Sequence, residues 1–204
     1  MAKRRSQDRL GGGRWHDADM PSTDPSEWHN EAVVLRPHDP EWAPGFEREA
    51  ARIRAVIEPW VTGGIHHVGS TAISGLDAKP VIDIAVGVES LEASRPCIEL
   101  LTTLHYLYAP YRTEVMHWFC KPVPSRRTHH LHLIPTGSAR LHDELDFRDY
   151  LRAHPDQAAE YGALKRRLVI EHSGDREEYT RAKATFVEAL TVRARDWRAH
   201  RSGQ

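Results

Sequence analysis

The chain has 204 residues, of which 40% are hydrophobic and 28% are charged, and its formal net charge at pH 7 is -1. This composition is too apolar for a disordered protein, and the balanced charge excludes the global basic field of many nucleic-acid-binding proteins. Two cysteines are too few for a secreted disulfide framework, and the lack of a bilayer-length apolar run or a secretory leader predicts a cytoplasmic, non-membrane protein.

The first part of the chain is predicted to be a tail. Residues 1–30 are rich in arginine, glycine and proline and contain few aliphatic side chains. Burial of so little apolar surface does not offset the entropy lost on ordering. We therefore predict a disordered tail over residues 1–30 and one domain over residues 31–204, with no sign of its oligomeric state.

The domain begins with helical periodicity and continues into strands. Apolar side chains recur at steps of three and four between residues 44 and 60, which predicts an amphipathic helix that Gly63-Gly64 ends. A second helix is expected over residues 96–106, with a proline in its first turn. Apolar and β-branched runs predict four strands, at residues 65–68, 81–88, 115–121 and 129–134. A turn that contains Pro122 is expected between the last two strands.

The remaining sequence is predicted to be helical. Pro155 suits the start of one helix, and Asp175 with Glu178 three residues later forms a capping-box pattern for the last helix. Strands in the middle of the chain with helices on both sides indicate an α/β (α+β) fold. We expect a small mixed β-sheet packed by helices, with further helices at the C-terminal end.

The densest chemical signal runs from His66 to Val88. Gly69 allows the backbone to approach a ligand closely, and Ser70 and Thr71 add hydroxyl and amide donors. A turn of this kind that opens a short helix is suited to hold phosphate. Its significance comes from the acidic strand that follows, because a Gly-Ser pair alone is common in ordinary loops.

Asp83 interrupts that otherwise apolar strand. The two-residue period places Asp83 on a face with small side chains such as Ala85, which leaves room for a ligand, and places the branched aliphatic residues on the core face. A buried carboxylate requires a metal, a cation or several hydrogen-bond donors. The alternative is a purely structural ion pair, for instance with Lys79.

A second cluster contains histidines on a later strand. His130 and His132 share one face of that strand, and the His-x-His spacing suits a metal ion. A third ligand is expected from Asp83 or from His117. The alternative is two partly exposed imidazoles on the surface of a sheet.

Basic residues flank these elements and are candidates for phosphate binding. Lys165 and Lys183 each follow a tyrosine by four residues, which suggests that both point into one cleft, although surface pairs have the same spacing. Arginine is well suited to bind phosphate oxygens. The predicted phosphate-binding residues are Gly69, Ser70, Thr71, Lys79, Arg127, Lys165 and Lys183.

Several of these motifs together resemble the GrpB family over about residues 33–195. The motifs, in chain order, are His67–Ala72, Gly75-Leu76, Ala78–Pro80, Ile82–Ile84, His130–Leu133, Gly137-Ser138, Phe147–Pro155, Tyr161, Leu164-Lys165, Tyr179 and Lys183. The resemblance implies a nucleotidyltransferase-like fold. In that fold a Gly-Ser turn holds the triphosphate of a nucleotide, and carboxylates on the next strand hold Mg²⁺.

The resemblance also implies an activity, namely transfer of a nucleotidyl group from a nucleoside triphosphate to an unknown small acceptor. Asp83, His130 and His132 would be the catalytic residues, with Mg²⁺ or another divalent metal at Asp83 and His132. We expect Asp83 and His132 to lie one metal's span apart, or else to hydrogen bond directly. The sequence departs from the general pattern at Ala85, where a second acid is expected two residues after the first.

This departure leaves open whether the protein is an enzyme. One alternative is a module that binds a nucleotide or another phosphoester without turning it over. Another is an enzyme of different chemistry, with a metal held by Asp83, His130 and His132, because imidazoles favour Zn²⁺, Fe²⁺ or Mn²⁺ over Mg²⁺. If transfer occurs, His67, His130 or His132 is expected to act as the general base.

Overall fold

The structure is a computed structural model that describes residues 33–123, 126–172 and 174–202, and a five-stranded mixed sheet lies at its centre. The predicted disordered tail over residues 1–30 lies outside the described residues. The strands are β1 (Val61–Val68), β2 (Ile82–Val88), β3 (Leu107–Ala109), β4 (His117–Val123) and β5 (Arg126–Pro135). The helices are α1 (Trp42–Ile57), α2 (Pro96–Leu100), α3 (Ala139–Ala153), α4 (Pro155–Glu171), α5 (Arg176–Ala182) and α6 (Ala184–Ser202).

The order of strands in the sheet is β1-β2-β5-β4-β3. Strands β2 and β5 are parallel neighbours, and the other neighbouring pairs are antiparallel. The central pair β2–β5 carries the acidic and histidine motifs, so chain segments that are far apart in sequence lie side by side. The predicted mixed sheet packed by helices is confirmed.

One face of the sheet packs on α1 and forms the largest apolar core. Phe46, Ile53 and Ile57 of the helix are buried against Ile84 and Leu131 of the central strands. The predicted helical periodicity and the predicted core face of β2 are therefore both confirmed. Among the helices within the described residues, none combines the length and apolar character that a membrane crossing requires.

The opposite face is covered by α3, and a third apolar cluster joins α3, α4 and α6. Ser138 caps α3 by accepting a hydrogen bond from the backbone N–H of Leu141 at 3.4 Å. Asp175 caps α5 in the same way through the N–H of Glu178 at 2.9 Å, so the predicted cap is present, but it begins α5 rather than the last helix, α6. Pro155 occupies the first turn of α4, also as predicted.

Two local predictions were wrong, and one strand was missed. Gly63 and Gly64 do not end the first helix but lie within β1, where Gly63 packs closely against Gly87 of β2. Pro122 lies in β4 rather than in a turn, where a register irregularity and a cis peptide bond accommodate it. The short edge strand β3 was not predicted at all, because three residues carry too little periodicity to be distinguished from a loop.

Candidate functional site

The turn after β1 brings the backbone close to the acidic strand. Gly69 has φ +69°, and a Cβ atom there would lie 3.0 Å from both Cβ and Cγ of Asp83. The residues Ser70–Ala72 then form one turn of 3₁₀ helix. Only glycine combines the left-handed backbone with such a close approach, so the predicted Gly-Ser turn lies directly against Asp83.

Asp83 is paired with a histidine of the neighbouring parallel strand. The register of β2 and β5 places Asp83 beside His130, whose Nδ1 donates a hydrogen bond to Oδ1 of Asp83 at 2.8 Å. Burial alone would raise the pKa of the Asp83 carboxyl, but the His130 hydrogen bond and nearby positive charge outweigh burial and lower it. Burial lowers the pKa of His130. The pair at pH 7 is therefore a carboxylate bound to a neutral imidazole.

His132 lies on the same face, one pleat further along β5, but has a different partner. Its Nδ1 donates a hydrogen bond to Oε1 of Glu144 in α3 at 3.3 Å, and Arg140 forms an ion pair with the same carboxylate. The direct hydrogen bond to Asp83 that was considered for His132 is made instead by His130. Beside His132 in the register lies Ala85, which is fully buried.

The lysine of α4 connects the turn to the segment that follows it. Nζ of Lys165 donates hydrogen bonds to Oγ of Ser70 at 3.1 Å and to the backbone oxygen of Asp77 at 2.5 Å. The ammonium also lies 4.7 Å from the centre of the Tyr161 ring. Burial, together with the charge of nearby Lys183, lowers the pKa of Lys165 to about 7. The amine is therefore close to the midpoint of its titration at neutral pH.

These groups surround one pocket, which we call the Asp83 pocket, with a volume of about 190 Å³. Two apolar side chains near the start of the described chain, Val33 and Leu35, close one side, and Tyr179 and Thr180 of α5 contribute to another. The structure brings together most of the predicted site residues here, namely Ser70, Thr71, Lys79, Asp83, His130, Lys165 and Lys183. The shared cleft predicted for the two helical lysines is present.

Other predicted residues lie near the pocket without lining it. Arg127 is buried and lies over the ring of Trp118, at 5.3 Å from the ring centre. Trp118 in turn packs on the imidazole of His130, with 5.1 Å between the ring centres. The Trp118 ring therefore connects Arg127 with the Asp83–His130 pair, because it contacts both Arg127 and His130.

His117 was a wrong choice for a third metal ligand. It pairs with Leu133 in the register, so its side chain lies on the core face of the sheet, opposite Asp83, and it donates a hydrogen bond to the backbone oxygen of Leu91 at 2.8 Å. Within residues 33–123, 126–172 and 174–202, no group of three or more His, Cys, Asp or Glu side chains is arranged to hold a metal ion. The roles of Asp83 and His132 as metal ligands stay predictions.

Glu144 was not predicted as a site residue from the sequence. This residue follows Arg140 by four positions on α3, a spacing that is typical of exposed helical ion pairs and gave no hint of burial. In the structure Oε2 of Glu144 is buried without a hydrogen-bond partner, and so is Nε2 of His130. The face around Asp83 thus holds two acids and two histidines, of which one acid comes from a helix rather than a strand.

A family model described as GrpB protein matches residues 32–193 of the chain. The chain belongs to the GrpB family. A crystal structure of the conserved protein GrpB from Enterococcus faecalis has a TM-score of 0.73 to this fold, at 29% identity over 79% of this chain and 96% of that one. The family and fold assignments made from the motifs are therefore confirmed.

Curated relatives of this GrpB protein come from several bacteria. A UPF0157 protein of Pseudomonas aeruginosa is 36% identical over 91% of this chain and 73% of its own length. The UPF0157 protein YqkA of Bacillus subtilis is 32% identical over 81% of this chain. A dephospho-CoA kinase of Mycolicibacterium paratuberculosis is 30% identical, also over 81%. The match covers 48% and 46% of the last two proteins, so the chain spans about half of their length.

Proposed function

We propose that this protein binds the phosphates of a nucleoside triphosphate in the Asp83 pocket and transfers a nucleotidyl group to an acceptor hydroxyl. The observation that carries the proposal is the convergence of Lys79, Lys165 and Lys183 on the pocket that also contains Asp83. Ammonium groups balance the charge of phosphate oxygens, and the hydroxyl of Ser70 adds a donor. A site of this kind catalyses transfer mainly by positioning and electrostatic stabilisation.

A divalent cation is implied by the nucleotidyltransferase-like fold, and the residues of the pocket fit one as a partial site. Asp83 offers an ionised carboxylate that is still partly exposed, with 27% of its side-chain surface accessible. Mg²⁺ in nucleotide sites is commonly held by one or two carboxylates together with phosphates of the substrate, so one acid suits it. Such an ion would neutralise phosphate charge beside Asp83, and His132 stays the predicted additional ligand.

The general base in this proposal is His130. The hydrogen bond from its Nδ1 to Asp83 leaves the lone pair of the neutral imidazole on Nε2, which has no hydrogen-bond partner. Because Nε2 is buried, the groups around it must move before an acceptor hydroxyl can reach it. The proton of the hydroxyl would then pass to Nε2 while the acceptor oxygen bonds to the α-phosphorus and pyrophosphate leaves. The hydrogen bond to Asp83 keeps the imidazole proton on Nδ1 of His130, which is the tautomer that this step requires. His67, the other candidate, instead donates its Nε2 proton to Thr71 at 3.0 Å.

A second candidate function, binding of a phosphoester without turnover, is favoured by one observation. Ala85 occupies the position where a second acid is expected, and it is fully buried in the apolar layer beneath α3. The strand therefore presents one carboxylate rather than two. In this case the lysines and Ser70 would bind phosphate in the same way, but no bond would be broken.

Binding is tested by melting the protein with ATP, CTP, GTP and UTP, each with and without Mg²⁺. A ligand that binds the folded state raises the melting temperature by mass action. We expect Lys183→Gln to weaken triphosphate binding by about tenfold, which corresponds to roughly 1.4 kcal/mol. Arg181→Gln is the matched control, because Arg181 is exposed on α5 and pairs with Glu178 outside the pocket. Equal affinities for the two variants would contradict the proposed pocket.

Turnover is tested separately, by pyrophosphate release from the triphosphate that binds, across a panel of alcohol and amino-alcohol acceptors. The transferase proposal expects release that His130→Gln abolishes and that Asp83→Asn strongly reduces. Triphosphate binding with no release for any acceptor would support the binding module instead. Triphosphate binding that does not depend on Mg²⁺ or on Asp83 would overturn the proposed metal role.

A further inference from the structure

A second and larger cavity lies on the other side of the segment that carries Ser70 and Thr71. It has a volume of about 810 Å³ and lies between the residues 72–77 and helix α4, so we call it the α4 cavity. Thr71 lines both this cavity and the Asp83 pocket. The volume falls within the range of roughly 300–1,000 Å³ that is typical of small-molecule sites.

The floor of the α4 cavity is apolar. Leu76, Leu151 and Ala158 line it and are buried in the cluster that joins α3, α4 and α6. Gly75 lines it as well, and a Cβ atom placed there would meet nothing within 4 Å. The space in front of this segment is therefore open, and its apolar lining suits a hydrocarbon body rather than a second polyphosphate.

The charged side chains of the lining leave an excess of positive charge. Arg166 is paired with Asp77 at 2.7 Å, so these two charges balance. Arg152 has its nearest carboxylate, Asp149, at 3.9 Å, and that carboxylate is already bound by two nitrogens of Arg148 at 2.7 and 3.0 Å. Nε of Arg152 donates a hydrogen bond to the backbone oxygen of Ala72 at 2.9 Å, and among the described residues no carboxylate neutralises its positive charge closely.

Two histidines also line the cavity and contribute polar ring nitrogens. His67 lies in the cavity wall, stacked on Phe46 with 4.9 Å between the ring centres, and burial lowers its pKa to about 4, so it is neutral at pH 7. His38 also lines the cavity, and its buried Nδ1 has no hydrogen-bond partner. A ligand can therefore gain a hydrogen bond at His38 and an ionic contact at Arg152.

We infer that the α4 cavity is a second ligand site, which binds a small organic monoanion with an apolar body and one carboxylate or sulfonate group. The body lies on the floor at Leu76 and Leu151, and the anionic group faces Arg152 and Arg166. This inference does not rest on the proposed nucleotidyl transfer, because the cavity has its own lining and its own charge. Because of its anionic group, this ligand should bind more tightly than a neutral apolar molecule of the same size.

The test is a fluorescence titration of the full chain with 1-anilinonaphthalene-8-sulfonate, in the absence of any phosphate or nucleotide. We expect saturable binding with one probe per chain. Ala159→Trp, which fills the cavity from an exposed position of α4, is expected to weaken binding at least about tenfold. Ala163→Trp is the matched control, since Ala163 is exposed one turn later on α4 and does not line the cavity.

The charge of the site is tested by a second pair of variants. Arg152 lines the cavity, and Arg152→Gln is expected to weaken binding about threefold to tenfold. Arg167→Gln, at a position that does not line the cavity, should leave the affinity unchanged. The uncharged analogue N-phenyl-1-naphthylamine should bind more weakly than the sulfonate. Binding of several probes per chain, or equal affinities for the Ala159→Trp and Ala163→Trp variants, would overturn the inference.

Discussion

At the scale of single residues, the site depends on how closely one glycine lies against Asp83. Gly69→Ala combines an unfavourable left-handed backbone with a Cβ atom 3.0 Å from two atoms of the Asp83 side chain. Gly75→Ala is a matched control, because Gly75 also has positive φ, +76°, but open space around its Cβ position. We expect about 1 kcal/mol of destabilisation for Gly75→Ala and at least about 2 kcal/mol more for Gly69→Ala, measured by urea unfolding. Equal losses for the two variants would show that the turn can move away from Asp83.

Lys165 makes stability depend on pH in a definite direction. Its pKa is about 7 in the folded protein and about 10.4 in an unfolded chain. Between these values the unfolded chain binds a proton that the folded protein does not, so the wild type loses stability as the pH falls from about 10 to 7. Above this window both states are neutral, and below it both are protonated, so the contribution is constant there.

The measurement for Lys165 compares the wild type with Lys165→Met by urea unfolding between pH 6 and 10. We expect the difference in free energy of unfolding to change by roughly 3–5 kcal/mol across the window, at about 1.4 kcal/mol per pKa unit. Arg167→Met, on the exposed side of the same helix, should show no such pH dependence relative to the wild type. Parallel curves for wild type and Lys165→Met would mean that the lysine titrates normally.

The sequence predicted only those features of the candidate site that depend on local residue patterns. Asp83 stood out because a carboxylate in an apolar strand is costly, and the two-residue period correctly placed His130 and His132 on one face. Which of the two histidines contacts Asp83 is decided by the register between β2 and β5, and no local pattern encodes it. Glu144 could not be found because its burial depends on how α3 crosses the sheet.

At the scale of secondary-structure elements, a buried ion pair ties helix α1 to strand β4. Nζ of Lys121 donates a hydrogen bond to Oε1 of Glu49 at 2.6 Å, and both side chains are almost inaccessible. The ammonium also lies 5.1 Å from the centre of the Tyr106 ring. Burial alone would raise the pKa of Glu49, but its hydrogen bond with Lys121 outweighs burial and lowers it. Arg52 also pairs with Oε2 of Glu49 at 3.3 Å, but its side chain is half exposed, so Lys121 is the buried counter-charge of this carboxylate.

Removal of one partner of the Glu49–Lys121 ion pair is therefore expected to lower the free energy of unfolding more than removal of both partners. Lys121→Met should destabilise the protein by about 3–5 kcal/mol in chemical unfolding, because it leaves the buried Glu49 carboxylate with only the half-exposed Arg52 as a counter-charge. The double variant Glu49→Leu with Lys121→Met should recover most of that loss. Arg54→Ala, which breaks an exposed pair with Glu58, should cost no more than about 1 kcal/mol. A double variant as unstable as Lys121→Met alone would show that packing, not charge, decides the loss.

Elements with strong periodicity were predictable, and elements defined by long-range contacts were not. Helix α1 and strand β2 have clear periods of 3.6 and 2, and both formed nearly where expected. The start of β1 was missed because Gly63 and Gly64 normally interrupt regular structure. In the fold, glycine at 63 is what allows β1 to pass within contact of Gly87. That requirement exists only after the two strands have paired.

At the scale of the whole molecule, the described residues contain their own apolar cores. Three clusters of buried side chains lie within residues 42–197, and the isolated bridge between Arg36 and Ala78 precedes them. We therefore expect deletion of Met1–His29 to shift the melting temperature by no more than about 2 °C. Thermal melting by circular dichroism measures this shift. A drop of about 10 °C or more would show that the deleted residues pack on the domain.

The partition between the two cavities is crossed by two chains of hydrogen bonds. One runs from Ser70 through Lys165 to Asp77, and the other from His67 through Thr71 to the backbone oxygen of Val81. A ligand in one cavity that breaks either of these hydrogen-bond chains changes which hydrogen-bond donors are available in the other cavity. Binding free energies obey reciprocity. If one ligand changes the affinity for a second ligand by some factor, the second ligand changes the affinity for the first by the same factor. We therefore expect ligands in the two cavities to affect each other's binding, because these hydrogen bonds join groups that line both cavities.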